Sequence, residues 1–146
     1  MAGVNHSFLV ITDLDGTLLD DQYRWDAARG SLERLRNLDV PLVLNSSKTL
    51  AELILLATEL RTDAPLIAEN GALICLLEDS EFGGLVPVAR RENGYGVHFA
   101  GRSRNEILEV AHRLRSESGF QFQGYADWSV EEVARFFKAI PSLKHR

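Results

Sequence analysis

The stretch Phe8-Leu9-Val10-Ile11-Thr12-Asp13-Leu14-Asp15-Gly16-Thr17 decides the reading of this chain. Its first half is a short apolar run of the kind that forms a buried strand, and its second half is a polar turn. Two carboxylates therefore stand at the carboxyl end of the strand. On an extended chain residues two apart point the same way, so Asp13 and Asp15 are expected to converge on one ligand. Gly16 supplies the freedom for a sharp turn, and the Thr17 hydroxyl is expected to fix it.

Working outward, strand and helix signals alternate. A helix is expected at about 26–38, a strand at about 40–45 and a helix at about 49–61, the pattern of a parallel sheet. In the 49–61 segment Leu50, Leu53, Ile54, Ala57 and Leu60 share one face, and Thr49 with Glu52 forms a capping box. A third strand, Pro65–Ala68, ends in Glu69-Asn70-Gly71, and a fourth follows at 72–77. Asn70-Gly71 is a strong turn signal.

Another strand is expected at about 85–90, followed by a flexible stretch, Asn93–Gly96. Ser103 with Glu106 then caps a helix carrying Ile107, Leu108, Val110, Ala111 and Leu114. Phe120, Phe122 and Tyr125 alternate with Gln121, Gln123 and Gly124 as a half-buried strand, and Ser129 with Glu132 caps one more helix. The expected domains are a core at 1–84 and an α+β segment at 85–146, with a soft boundary at 83–96.

Bulk properties narrow the function. The 146 residues suit one domain, or one with a small insertion, and 45% hydrophobic content suits a globular chain. The net charge of −5 and the scattered basic residues argue against a nucleic-acid binder. No apolar stretch approaches the roughly 18 residues of a membrane span. The lone Cys75 cannot form an internal disulfide and the first residues lack a secretion signal, so a cytoplasmic address is expected. His6, His98, His112 and His145 show no zinc-ligand spacing.

The chemistry these residues suggest is phosphoryl transfer. A carboxylate attacking a phosphate monoester meets like-charge repulsion, and a Mg2+ ion bridging the two relieves it. Asp13 is the expected nucleophile and Asp15 the expected acid and base, with both as metal candidates. A plain polar turn ending a strand is the bland alternative. An EF-hand loop is rejected, because its fifth and twelfth positions would be Thr17 and Arg24.

The strand Val40–Asn45 runs into Ser46-Ser47-Lys48-Thr49 at a helix start, where hydroxyls, backbone N–H groups and the helix dipole favour an anion. In an open α/β sheet ligands lie at such strand ends. An N-cap cluster with no ligand is the alternative. Asn70 reaches the same cleft or serves a hairpin turn. Tyr23 and Trp25 are read as packing residues rather than a binding platform.

These motifs resemble the haloacid dehalogenase (HAD) superfamily of phosphatases, whose first motif, a strand followed by D-x-D-G-T, is matched from Phe8 to Thr17. Asp13–Asp20, Tyr23–Trp25, Leu44–Thr49 and Glu69–Ala72 look most like its mannosyl-3-phosphoglycerate phosphatases. The resemblance implies a Rossmannoid α/β core with a parallel sheet, followed by part of an α+β cap at Gly119–Gly124 and Asp127–Val133. It implies Asp13 as nucleophile, Asp15 as acid/base and Ser46 as phosphoryl ligand. Mg2+ would be held by Asp13 and the Asp15 backbone carbonyl. Gly16, Thr17, Ser47, Lys48 and Asn70 would line the site of a phosphorylated sugar or glycerate derivative.

The superfamily's later catalytic Lys and acidic metal motif have no match after Asp127, so the chain reads as truncated within the cap. The resemblance makes the first strand central, with a later segment on its far side. Its edge is therefore expected to be open here, inviting self-association. A non-catalytic fragment binding a phospho-ligand or partner chain, and a different HAD sugar phosphatase, are the alternatives.

Overall fold

A computed structural model describes residues 8–139. Two compact units emerge, Met1–Gly101 and Arg102–Arg146.

The first unit is built on one six-stranded sheet. Its strands are β1 (Val10–Thr12), β2 (Leu42–Asn45), β3 (Leu66–Ala68), β4 (Leu73–Leu77), β5 (Arg90–Glu92) and β6 (Tyr95–Phe99), in the order β1-β2-β3-β4-β6-β5. The first three are parallel, with Thr12 opposite Leu44 and Leu44 opposite Leu66. Helices α1 (Arg29–Asn37) and α2 (Leu50–Leu60) provide the crossovers. Past β3 every pairing is antiparallel. The change falls where the Glu69–Gly71 turn is too short for the helical crossover that parallel pairing needs.

The core follows from the sequence pattern. On one sheet face Leu14, Leu44 and Leu66 pack with Leu32 of α1 and with Leu50, Leu53, Ala57 and Leu60 of α2. Strand alternation turns Val43 and Leu76 to the other face, where Phe82 covers them. Helix α2 starts where predicted, at the Thr49–Glu52 capping box, and ends at Arg61 in left-handed conformation.

Two local expectations change. The strand foreseen at 85–90 forms instead at Arg90–Glu92. The stretch foreseen as flexible at 93–96 is a tight hairpin: Asn93 and Gly94 have φ of 50° and 82°, the two left-handed positions of a type I′ turn, and Tyr95 and Gly96 belong to β6. Five residues of β6 pair with β4. This pairing holds 90–99 in the first unit, and the compact units divide after Gly101.

In the second unit, α3 (Arg104–Ser118) is capped by Ser103 and Glu106 and stops at left-handed Gly119. Helix α4 (Val130–Ala139) starts at Ser129, whose N–H is taken by the Glu132 carboxylate while its hydroxyl accepts from Glu132 N–H. Between them, Phe120–Tyr125 is not the half-buried strand expected. No described strand lies beside it, and Phe120 is 60% exposed. Asp127 closes the linker: it accepts two bonds from Arg115 and one from Gly124 N–H. Tyr125, Trp128, Phe136 and Phe137 form an aromatic cluster, with ring centroids 5.1 to 6.4 Å apart for the contacting pairs. No described side chain of this unit is fully buried.

Candidate active site

Parallel pairing of β1, β2 and β3 delivers their carboxyl ends to one edge of the sheet. Beyond β1, Leu14 is fully buried while Asp13 and Asp15 on either side of it are exposed. That alternation anchors the loop by its apolar residue and frees both carboxylates. Backbone bonds from Thr17 N–H and Leu19 N–H to the Leu14 carbonyl shape the turn, with Gly16 at φ 73°. The Thr17 hydroxyl, expected to fix the turn, makes none of these bonds. Thr12 supplies the nearby hydroxyl contact, to the Asp13 carbonyl at 2.8 Å.

Beyond β2, Ser46 is the one buried polar residue of the described core, 4% exposed. Its N–H donates to the Ile67 carbonyl, extending the β2–β3 pairing by a residue. Its hydroxyl oxygen accepts from Lys48 N–H at 3.2 Å, which leaves the hydroxyl proton to give to a ligand. Ser47 is exposed. The capping box of α2 uses the Glu52 N–H, leaving those of Leu50 and Ala51 without intrahelical acceptors.

Beyond β3, Glu69, Asn70 and Gly71 all have left-handed φ, at 54°, 58° and 87°. Two consecutive non-glycine residues in that region cost on the order of 1 kcal/mol each. The turn they make carries Glu69 N–H to the Lys48 carbonyl at 3.0 Å and Asn70 N–H to the Ser46 carbonyl at 3.1 Å. The third strand end is thereby tied to the second.

The first is tied to the second by charge. Lys48 Nζ donates to both carboxylate oxygens of Asp15, at 2.8 and 2.9 Å. The side chain of Lys48 is only 18% exposed and that of Asp15 47%. Glu52 stands nearby. Its carboxyl lies below the ordinary range, first because the Thr49 hydroxyl and N–H both bond it, with Lys48 and Asp15 acting in opposite directions.

Sequence reasoning missed the role of Tyr23. It packs in neither core cluster; its ring lies 4.9 Å from Lys48 Nζ, and its φ is 58°. The Asp20 carboxylate holds this strained loop closed by accepting from Gln22 N–H, Arg24 N–H and Arg24 Nε. Trp25 does pack against the core, as expected. The signal for the ion pair was available: Asp15 and Lys48 are opposite charges equally far beyond the ends of adjacent parallel strands.

Of the predicted site residues, Asp15, Ser46, Lys48 and Asn70 are thus bonded into one cluster, with Asp13 and Gly16 in the turn that presents Asp15. Thr17 and Ser47 join it through neither side chain. The donor set is oxygen-only, two carboxylates, and no three His, Cys, Asp or Glu side chains are grouped to hold a metal ion among the described residues. Such a set suits Mg2+, which takes one or two carboxylates and completes its shell with water and substrate phosphate, and does not suit zinc.

Paired acids after one parallel strand and a hydroxyl-rich helix start after the next stand where α/β sheets bind their ligands, at the carboxyl ends of the strands. Residues 10–83 match the family model of haloacid dehalogenase-like hydrolases, and the chain belongs to that family. It is 37% identical over 128 residues to a glucosyl-3-phosphoglycerate/mannosyl-3-phosphoglycerate phosphatase of Methanococcoides burtonii, a match covering 87% of this chain and 47% of that protein. The chain thus spans about half the length of this curated relative.

Solved structures agree on the fold. A Bacteroides thetaiotaomicron protein described among phosphatases of the haloalkanoate enzyme superfamily is similar at 16% identity, over 94% of this chain and 51% of its own, with a TM-score of 0.56. A haloacid dehalogenase-like hydrolase from the same organism is similar at 24% identity, over 75% of this chain and 37% of its own, with a TM-score of 0.52. No helix among the described residues is long and apolar enough to cross a membrane.

Proposed function

We propose that this chain carries the nucleophile, acid/base and phosphate-binding groups of a phosphatase acting on a phosphorylated sugar or glycerate derivative such as mannosyl-3-phosphoglycerate. One observation carries the reading: three successive strand ends deliver Asp15, Ser46 with Lys48, and Asn70 to one hydrogen-bonded cluster beside Asp13.

In this reading an Asp13 carboxylate oxygen attacks phosphorus as the ester P–O bond breaks. The leaving alkoxide takes a proton from Asp15. Water then attacks the aspartyl phosphate, giving its proton to Asp15, and free phosphate leaves with Asp13 restored. Ser46 donates its hydroxyl proton to a phosphoryl oxygen, helped by the free N–H groups at the start of α2. Bound Mg2+, held by the Asp13 carboxylate and the Asp15 backbone carbonyl, would offset the repulsion between carboxylate and phosphate.

Phosphate release from mannosyl-3-phosphoglycerate and from an aryl phosphate, with and without magnesium, tests this against Asp13→Asn. Magnesium-dependent release is expected from the unaltered chain, with a loss on the order of 10³-fold or more in the variant. Equal release from both proteins would overturn it. A second reading, binding of a phosphorylated ligand without turnover, is favoured by the engagement of both Asp15 oxygens by Lys48. It predicts phosphate-ester binding with no release.

For a protein partner, the proposed one is a second copy. Among the described strands β1 pairs with β2 alone, and Ile11 is 57% exposed beside exposed Phe8 and Leu9. Light scattering at micromolar concentration is expected to show dimers or larger species that Ile11→Lys shifts to monomer. A monodisperse monomer before substitution would sink the idea.

A further inference from the structure

The Asp15–Lys48 pair is at odds with the work assigned to Asp15. To give a proton to a leaving oxygen and later take one from water, Asp15 needs a carboxylate oxygen facing the ester, yet both oxygens face one ammonium. Lys48 must release at least one of them during a turnover. Its main chain cannot move to do so, because Lys48 N–H is bonded to Ser46, its carbonyl accepts from Glu69, and the capped helix α2 follows directly. The side chain alone can swing. An ammonium that is mostly enclosed needs a replacement anion when it leaves its partner.

The transferred phosphoryl group lies between Asp13 and Ser46 in the proposed reaction, whereas Asp15 meets the leaving group. Lys48 rests against Asp15 and so stands on the leaving-group side. Resting on the phosphatase reading above, we infer that Lys48 is the residue that selects substrates by a carboxylate on the leaving group, and that this carboxylate draws Lys48 away and frees Asp15. Within the substrates already proposed, this singles out the phosphorylated glycerate derivatives, whose carboxylate must lie close enough to the ester oxygen for one lysine side chain to bridge them.

Tyr23 is the positioning residue. Its ring, displayed by the strained, Asp20-clamped turn, backs the ammonium at 4.9 Å and keeps it close to the ester whether it holds Asp15 or the substrate.

The test compares 3-phosphoglycerate with glycerol 3-phosphate, which differ only in carrying a carboxylate or a hydroxymethyl group. Binding of each to the full chain is measured by calorimetry with magnesium, in an Asp13→Asn background so that hydrolysis does not intrude. The expected result is about tenfold tighter binding of 3-phosphoglycerate, a preference that falls to about one in Lys48→Met and survives in Lys48→Arg. Tyr23→Leu is expected to reduce the preference several-fold. Circular dichroism establishes that each variant is folded.

A preference untouched by Lys48→Met, or equal binding of the two esters before substitution, overturns the inference while leaving the phosphate site standing. Binding of neither ester removes the phosphate site itself, and the inference with it.

Discussion

The two compact units are held together in opposite ways. In the first, long-range bonds between strand ends fix the candidate site over a core of fully buried residues such as Leu14, Leu44 and Leu53. In the second, no described side chain is fully buried, and the order rests on two helix caps, an Arg–Asp pair and half-exposed aromatics. Sheet topology brings the candidate site residues together in the first; caps and contacts between near neighbours in sequence shape the second. A fold built from the second kind of contact is expected to open locally at much lower cost than one built from the first.

The largest effect should separate chemistry from stability inside the first unit. Asp13 is exposed and outside the core, so Asp13→Asn is expected to remove turnover while leaving the thermal midpoint within a few degrees. Leu44→Ala does the reverse. It empties space in the middle of β2 and should cost about 2–5 kcal/mol in chemical denaturation. If Leu44→Ala melted the second unit's helices at the same denaturant concentration as the sheet, the contrast between the units would fail.

A smaller effect sharpens the comparison, because both units contain the same device. Thr49–Glu52 and Ser103–Glu106 are equivalent capping boxes, each with the hydroxyl accepting the Glu N–H and the carboxylate accepting the cap N–H. Thr49→Ala and Ser103→Ala should each cost about 1 kcal/mol. The readout should differ. Hydrogen exchange is expected to show the Thr49 loss across the whole sheet, because α2 is locked to it, and the Ser103 loss only along α3. A cost spread through both units in both variants would argue that they unfold as one.

These caps were legible in the sequence because their rules are local, as were the apolar face of α2 and the Asn70-Gly71 turn. Strand ends were legible where the chemistry is also local, at Asp13–Gly16 and Ser46. The rest depended on partners. Phe120–Tyr125 has the alternation of a strand, but a strand exists only beside another, and none is described there. Tyr95 and Gly96 read as loop because the type I′ turn at Asn93-Gly94 was not recognised as joining two strands. Tyr23 was read as packing because aromatic residues usually are. A ring's target is set by the path of the chain, here by the Asp20 clamp that turns Tyr23 out toward Lys48.

The smallest effect concerns pH, and it bears most on the second unit. Asp127 is held at a pKa of about 2, below its ordinary value of 3.8, chiefly by the two hydrogen bonds from Arg115 and next by Gly124 N–H, with the charges of Arg115 and His112 adding. A carboxyl that is more acidic folded than unfolded stabilises the fold wherever it is ionised. The contribution is complete above the unfolded value, near pH 4, and is lost as pH falls toward 2. Glu106, lowered first by the Ser103 N–H and then by its hydroxyl, acts in the same direction at the start of α3. Between pH 5 and pH 2, hydrogen-exchange protection in 104–138 should therefore fall. In Asp127→Asn it should start lower at pH 5 and change less. Glu52, lowered first by the Thr49 hydroxyl and then by the Thr49 N–H, adds the same dependence at the start of α2. But β2 and β3 hold no ionisable side chain and are backed by the buried core, so their protection should outlast that of α3 and α4 as the acid is added. A simultaneous loss in both would mean that the second unit is not the weaker one.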